Sequence, residues 1–158
     1  MKVPRAARAS RSHGTTQRPI HAKPVSHRSA LAVGELTLSP RGRGLLRRGT
    51  EKGSPLDIAA TAGIMAMKRT PELIPHCHLV PLTSSSVVLF PTRTGARVEA
   101  TAEATWQTGV EMEALVGASV ALLTLWDIVK TVEKDATGGY PSTRISAVRV
   151  LQKRKTPL

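Results

Sequence analysis

Ser86-Val87-Val88-Leu89-Phe90-Pro91-Thr92-Arg93-Thr94-Gly95-Ala96-Arg97-Val98-Glu99-Ala100-Thr101-Ala102-Glu103-Ala104-Thr105, followed by Thr108-Gly109-Val110-Glu111 and an apolar run over 112–132, decides the fold. Residues 86–91 and 96–105 are two β-type runs around Thr92-Arg93-Thr94-Gly95. That loop has glycine where a hairpin needs it, so the runs are expected to pair antiparallel. Thr108 and Glu111 have the spacing of a capping box, which opens the longest helical segment of the chain, the expected core helix. Working upstream, residues 32–38 alternate as a strand. Ser39-Pro40 then supplies an N-cap and a proline at the first helical position for a short basic helix over 41–48, ended by Gly49. Lys52-Gly53-Ser54-Pro55 opens a second helix with Leu56, Ile58, Ala59, Ala60, Ala62, Ile64 and Met65 crowding one side. Lys68-Arg69-Thr70-Pro71 stops it, because the residue before a proline leaves the helical region. Downstream, Gly138-Gly139-Tyr140-Pro141 breaks the chain before a last strand over 144–151. Strand, helices, hairpin, helix, strand is the split βαβ order. The expected class is therefore α+β, a ferredoxin-like sandwich with a four-stranded antiparallel sheet packed against helices on one face.

A chain of 158 residues suits one core. Residues 1–20 are set aside as a basic tail, 21–153 form the single domain, and 154–158 read as a basic C-terminal tail. The net charge of +12 sits largely at the ends: residues 1–28 hold seven Lys or Arg and no acid, and residues 153–155 hold three more. Four aromatic residues offer no stacking platform for single strands, so no nucleic-acid partner is expected. The longest charge-free apolar stretch, residues 114–126, falls short of the ~18–20 residues that cross a bilayer, and no membrane partner is expected. The lone Cys77 cannot close an intramolecular disulfide or form a thiolate pair for zinc, which fits a reducing compartment. The cytoplasm is the expected location. The Arg-, Ser- and Ala-rich start of the chain makes organellar targeting the alternative.

Phosphate-loop, dinucleotide, hydrolase-elbow and zincin motifs are all missing, which removes the common nucleotide, hydrolase and metalloprotease readings. A few polar residues in apolar surroundings remain. In an extended segment His76 and His78 would point one way and Cys77 the other. They read as hydrogen-bonded histidines at a strand start or as substrate contacts. No metal site is expected, since His13, His21 and His27 lie in or near the tail. Asp127 and Lys130, three apart on the long helix, are either a surface ion pair or an acid–base pair, with Lys52 as a second cation that lowers the proton affinity of a lysine. Glu111 and Glu113 lie in the first helical turn, where the helix dipole favours carboxylates. Capping accounts for Glu111 better than for Glu113.

Five segments together resemble the cyclic pyranopterin monophosphate synthase family of molybdenum cofactor biosynthesis. They are Lys23-Pro24-Val25-Ser26-His27-Arg28, Ala62-Gly63-Ile64-Met65-Ala66-Met67-Lys68-Arg69-Thr70, Leu73-Ile74-Pro75-His76-Cys77-His78, Thr108-Gly109-Val110-Glu111-Met112-Glu113-Ala114-Leu115 and Trp126-Asp127-Ile128-Val129-Lys130. The stretch from Glu133 through Tyr140 to Ile145 looks like archaeal-type members. The resemblance implies a lyase that converts 3′,8-cyclo-7,8-dihydroguanosine 5′-triphosphate to cyclic pyranopterin monophosphate with loss of diphosphate. It also implies a hexamer, a trimer of dimers with pockets at the dimer contact. By position it makes Asp127, Lys130 and Lys52 catalytic, and has His76, Cys77, His78, Met112, Glu113, Glu111 and Arg28 line the substrate. The family usually has Leu-Cys-His-Pro where this chain has His76-Cys77-His78-Leu79, and a glycine-rich ending where this chain has Arg154-Lys155-Thr156-Pro157-Leu158. Lys153 keeps its place.

A triphosphate calls for several cations, and Arg28, Lys52, Lys68 and Arg69 are candidates. No cofactor is required on this reading, and whether Mg²⁺ accompanies the triphosphate is left open. A carboxylate such as Glu113 can accept two hydrogen bonds from the donor edge of a guanine-derived base. Glu113 and Asp127 are 14 positions apart, hence about 21 Å along the helix axis, which favours a pocket shared by neighbouring subunits.

Overall fold

Strand β1 (Ser26–Thr37) leads to α1 (Pro40–Arg48), α2 (Pro55–Met67) and a single helical turn, α3 (Thr70–Leu73). The hairpin of β2 (Ser84–Pro91) and β3 (Gly95–Trp106) follows, then α4 (Glu111–Glu133) and β4 (Arg144–Pro157). The structure, a computed structural model, describes residues 14–158. Every strand pairing is antiparallel and the spatial order is β2-β3-β1-β4, with the first and third strands central as split βαβ connectivity requires. The α+β class and the four-stranded antiparallel sheet are those read from the sequence.

Alternation along the strands puts Ala30, Ala32 and Leu36 of β1 on one buried face with Ala96, Val98, Ala100, Ala102 and Ala104 of β3. These small side chains let α4 lie close to the sheet, where Ala114, Ala118, Ala121, Leu122, Leu125 and Val129 are fully buried. α2 packs on α4 through two glycines. A Cβ on Gly63 would fall 2.8 Å from the Gly117 carbonyl oxygen, so the two backbones meet where no side chain fits. By length and composition α4 would pass for a bilayer span, but half of its apolar stretch is buried against the sheet and α2, as in a core helix.

Local signals explain α1 well. Ser39 Oγ accepts from the Gly42 N–H at 3.2 Å, Pro40 stands at the first position, and Gly49 ends the helix at φ 78° with its N–H donating to the Leu45 carbonyl. Three expectations fail for physical reasons. The capping box is not formed: α4 begins at Glu111 after Val110, no side chain caps it, and the Glu111 carboxylate is engaged elsewhere. The expected tail at 154–158 is strand as far as Pro157, pairing with Ser26 to Ser29. An edge strand tolerates charge on both faces, so Lys153, Arg154 and Lys155 do not end it. β1 begins at Ser26 rather than at residue 32, because it is hydrogen-bonded on both sides and pairing overrides the weak propensity of its polar start. Residues 1–13 of the basic tail lie outside the described residues. Residues 14–20 carry no regular structure but contact the domain.

Candidate active site

Two charged clusters form at opposite ends of α4. At its N-terminus a cavity of about 310 Å³ is lined by His76, Cys77 and His78 on one side and by Thr108, Gly109, Glu111, Met112 and Glu113 on the other. The loop 76–78 belongs to no strand. Its start is a turn closed by the Cys77 N–H donating to the Ile74 carbonyl at 2.9 Å, and β2 begins only at Ser84, so all three residues line the cavity instead of alternating. His76 hydrogen-bonds Thr15 Oγ1 through Nε2 at 2.5 Å, and Gln17 Nε2 donates to the Cys77 carbonyl at 2.9 Å. Next to Thr108 on the other side, Gln107 Nε2 donates to the carbonyls of His21 and Lys23. The segment ahead of β1 is therefore tied to both sides of the cavity, and the sequence reading missed Thr15, Gln17 and Gln107.

The two first-turn carboxylates differ. Glu113 is only 3% exposed, and burial pushes its carboxyl up. Its own backbone N–H pulls down, and the neighbouring Glu111 charge pushes up again. Burial is the largest single influence on Glu111 and acts upward, but the lowering influences, led by the hydrogen bond from the Lys153 ammonium, together outweigh it. With its own backbone N–H and the Arg28 charge, that bond holds Glu111 below the usual carboxylate range. Lys153 belongs to this cluster, placed there by the inward phase of β4 opposite Ala30. Arg28 stands near it, its Nε buried without a partner. Burial and the Glu113 charge push the Cys77 thiol up, which favours the protonated thiol.

At the other end Lys130 Nζ donates to Asp127 Oδ1 at 2.5 Å on the exposed face of α4. The Lys130 hydrogen bond and charge hold Asp127 low, and Lys52 adds to the effect from the turn before α2. Lys52 thus joins Asp127 and Lys130 as expected. Its effect on Lys130 is not the expected one: the Asp127 hydrogen bond pushes the ammonium up, and Lys130 stays charged instead of losing its proton near neutrality. Lys68 and Arg69, candidates for phosphate contact, are exposed and join neither cluster. Lys68 lines a separate cavity of about 400 Å³ with Val80, Leu82, Thr83, Ser84 and Ser85. Among the described residues no three His, Cys, Asp or Glu side chains converge as metal ligands.

The match to known sequences covers both ends of α4 and nearly the whole described chain: residues 18–156 fit the model of the MoaC family. The chain belongs to the MoaC family. Among its relatives, probable cyclic pyranopterin monophosphate synthases of Pyrococcus abyssi and Thermococcus kodakarensis are 52% and 50% identical to it. The first alignment covers 85% of both chains, the second 84% of this chain and 86% of the relative. One from Methanospirillum hungatei is 46% identical over 88% of this chain and 90% of its own. The matched region includes Glu111-Met112-Glu113 at one end of α4 and Asp127 with Lys130 at the other.

Proposed function

We propose that this chain is a cyclic pyranopterin monophosphate synthase, a lyase that converts 3′,8-cyclo-7,8-dihydroguanosine 5′-triphosphate to the cyclic monophosphate with release of diphosphate in molybdenum cofactor biosynthesis. The observation that carries this reading is the pair of complementary clusters. A buried carboxylate suited to a guanine-type edge stands at one end of α4, and a fixed ammonium–carboxylate pair with a second lysine stands at the other. They are about 21 Å apart along one rigid helix, so a single small substrate does not reach both.

Two copies of the chain therefore supply one pocket, the N-terminal end of α4 from one and the C-terminal end from the other, in a hexamer built as a trimer of dimers. A triphosphate that becomes a cyclic monophosphate has an internal hydroxyl attack its α-phosphorus while diphosphate leaves, and negative charge grows on the leaving group. Lys130, kept charged by Asp127, and Lys52 are placed to neutralise that charge and deliver a proton. Glu113 and His78 orient the base, while Arg28, Glu111 and Lys153 form an ion network beside it. The rearrangement is internal and redox-neutral, so the reading requires no cofactor. It places the protein in the cytoplasm, with no nucleic acid or membrane as partner.

The test is incubation of the purified protein with enzymatically made cyclised dihydro-GTP, following diphosphate release and pterin fluorescence. Wild type is expected to form both products, and Lys130→Ala and Lys52→Ala to lose more than about a hundredfold in kcat. A correctly assembled wild type that forms neither product removes the reading.

A further inference from the structure

The cavity at the start of α4 has one rigid wall and one slender one. The first turn of a 23-residue helix supplies Glu111, Met112 and Glu113, while His76, Cys77 and His78 come from a loop outside the sheet. Val80, buried in the core, fixes the far end of that loop. Over 76–78 the backbone makes a single hydrogen bond of its own, from the Cys77 N–H to the Ile74 carbonyl. The next along the chain is at Thr83, beside the start of β2.

The remaining ties come from the segment ahead of β1. Gln17 Nε2 donates to the Cys77 carbonyl at 2.9 Å and reaches the His76 carbonyl at 3.4 Å, and Thr15 Oγ1 shares a hydrogen bond with His76 Nε2. Among the described residues no other side chain hydrogen-bonds residues 76–78. That segment is itself anchored: the Lys23 N–H donates to the Ile20 carbonyl, Gln107 holds the His21 and Lys23 carbonyls, and the chain enters the sheet at the buried Ser26. Ile20 is half-buried and its neighbours from Gly14 to Val25 are exposed, so hydrogen bonds rather than apolar burial hold the segment in place. The same ties separate the two histidines. His76 spends a ring nitrogen on Thr15, whereas the His78 ring takes no hydrogen bond from the described residues and is left to the cavity it lines.

We propose that Gln17 is a positioning residue for the substrate wall: its amide holds the loop 76–78 in place across the cavity from Glu113, with the Thr15–His76 bond as a second tie and His78 as the ring offered to the substrate. This rests on the lyase reading for what the loop meets. A neutral amide suits the task, since it donates to carbonyls without adding charge to a cavity that already holds the carboxylates of Glu111 and Glu113. Releasing one such bond shifts the balance between a held and a loosened loop by about two- to tenfold.

Cys77 is the chain's single cysteine, so its thiol reports on the loop without substrate. In the full-length protein at neutral pH, labelling by N-ethylmaleimide is expected to run about two- to tenfold faster in Gln17→Met, which keeps the side-chain length and removes the amide. Thr15→Val is expected to act in the same direction, and Thr15→Ser, which keeps the hydroxyl, to label at the wild-type rate. With the cyclised dihydro-GTP, Gln17→Met is expected to raise KM roughly three- to tenfold while kcat stays within about twofold, at an unchanged melting temperature. A wild-type labelling rate in Gln17→Met overturns the proposal, and so does a wild-type KM in that variant. Labelling needs no substrate, so a wild type that forms no product counts against the lyase and leaves the labelling rate to decide the role of Gln17.

Discussion

Glu113 is a carboxylate held in a place where its charge is costly, and this sets a measurable sign. Burial raises its folded-state pKa above the unfolded value, so the native state favours the protonated form. Its contribution to stability is full below the unfolded carboxylate value and is lost as pH rises through the raised folded value. Glu113→Gln is therefore expected to raise the melting temperature by a few degrees at pH 7, the gain shrinking toward pH 4, while KM for the substrate rises at least about tenfold. Thermal melts across pH 4–8, paired with the product assay, check both halves. Asp127→Asn works in the opposite direction on its partner: without the carboxylate the Lys130 ammonium loses its main support, and the basic limb of the pH–rate profile is expected to move to lower pH. At this scale the sequence pointed to the right residue types but not to their states. Asp127 and Lys130 could be paired from a three-residue spacing alone. That Lys130 is kept charged depends on the 2.5 Å approach of the two groups, which spacing does not reveal. Lys153 could be named but not assigned a partner, because its meeting with Glu111 depends on the register of β4 on β1.

The elements were legible where local chemistry decides them and illegible where pairing does. Ser39, Pro40 and Gly49 mark both ends of α1, and Gly95 marks the hairpin, since each satisfies a backbone need within a few residues or admits one close contact. The start of β1 and the end of β4 were missed because strands gain their stability from a neighbour, and neither Ser26 nor Lys155 announces one. The apparent capping box failed because α4 starts only at Glu111, which leaves Thr108 two residues ahead of the N-cap Val110, and the Glu111 carboxylate pairs with Lys153 instead. The junction of α1 with α4 was also out of reach of the sequence. Glu133, only 4% exposed, accepts from the Ser39 N–H at 3.0 Å and the Ser39 hydroxyl at 2.8 Å, and takes a third hydrogen bond from Thr143. Glu133→Ala leaves those donors without an acceptor and is expected to cost about 2–3 kcal/mol in denaturant melts. At the α2–α4 crossing, Gly63→Ala places a methyl group against the Gly117 carbonyl and is expected to cost ~1–3 kcal/mol, read in the same way.

For the whole molecule, the length of α4 is the basis of the proposed shared pocket. If each pocket takes one end of α4 from each of two chains, Glu113→Ala and Lys130→Ala damage different halves, and a hybrid dimer keeps one intact pocket of its two. Mixing the two inactive proteins under conditions of verified subunit exchange is expected to restore up to about a quarter of wild-type activity, the share set by random pairing. A mixture that stays inactive despite exchange means that each chain works alone or that the halves are combined differently. The family segments and the helix length were readable in the sequence. The closing of one cavity wall by residues ahead of the first strand was not, since Gln17 and Thr15 belong to a stretch set aside as a tail.

That wall is resistant to one common form of trimming. Between Gly14 and Ser26 the basic residues are Arg18 and Lys23, and each is followed by proline, a bond that trypsin-like enzymes cut poorly. Digestion that removes residues up to Arg11 therefore spares Thr15, Gln17 and their grip on the His76 loop. An enzyme that accepts other side chains would open the cavity from the outside.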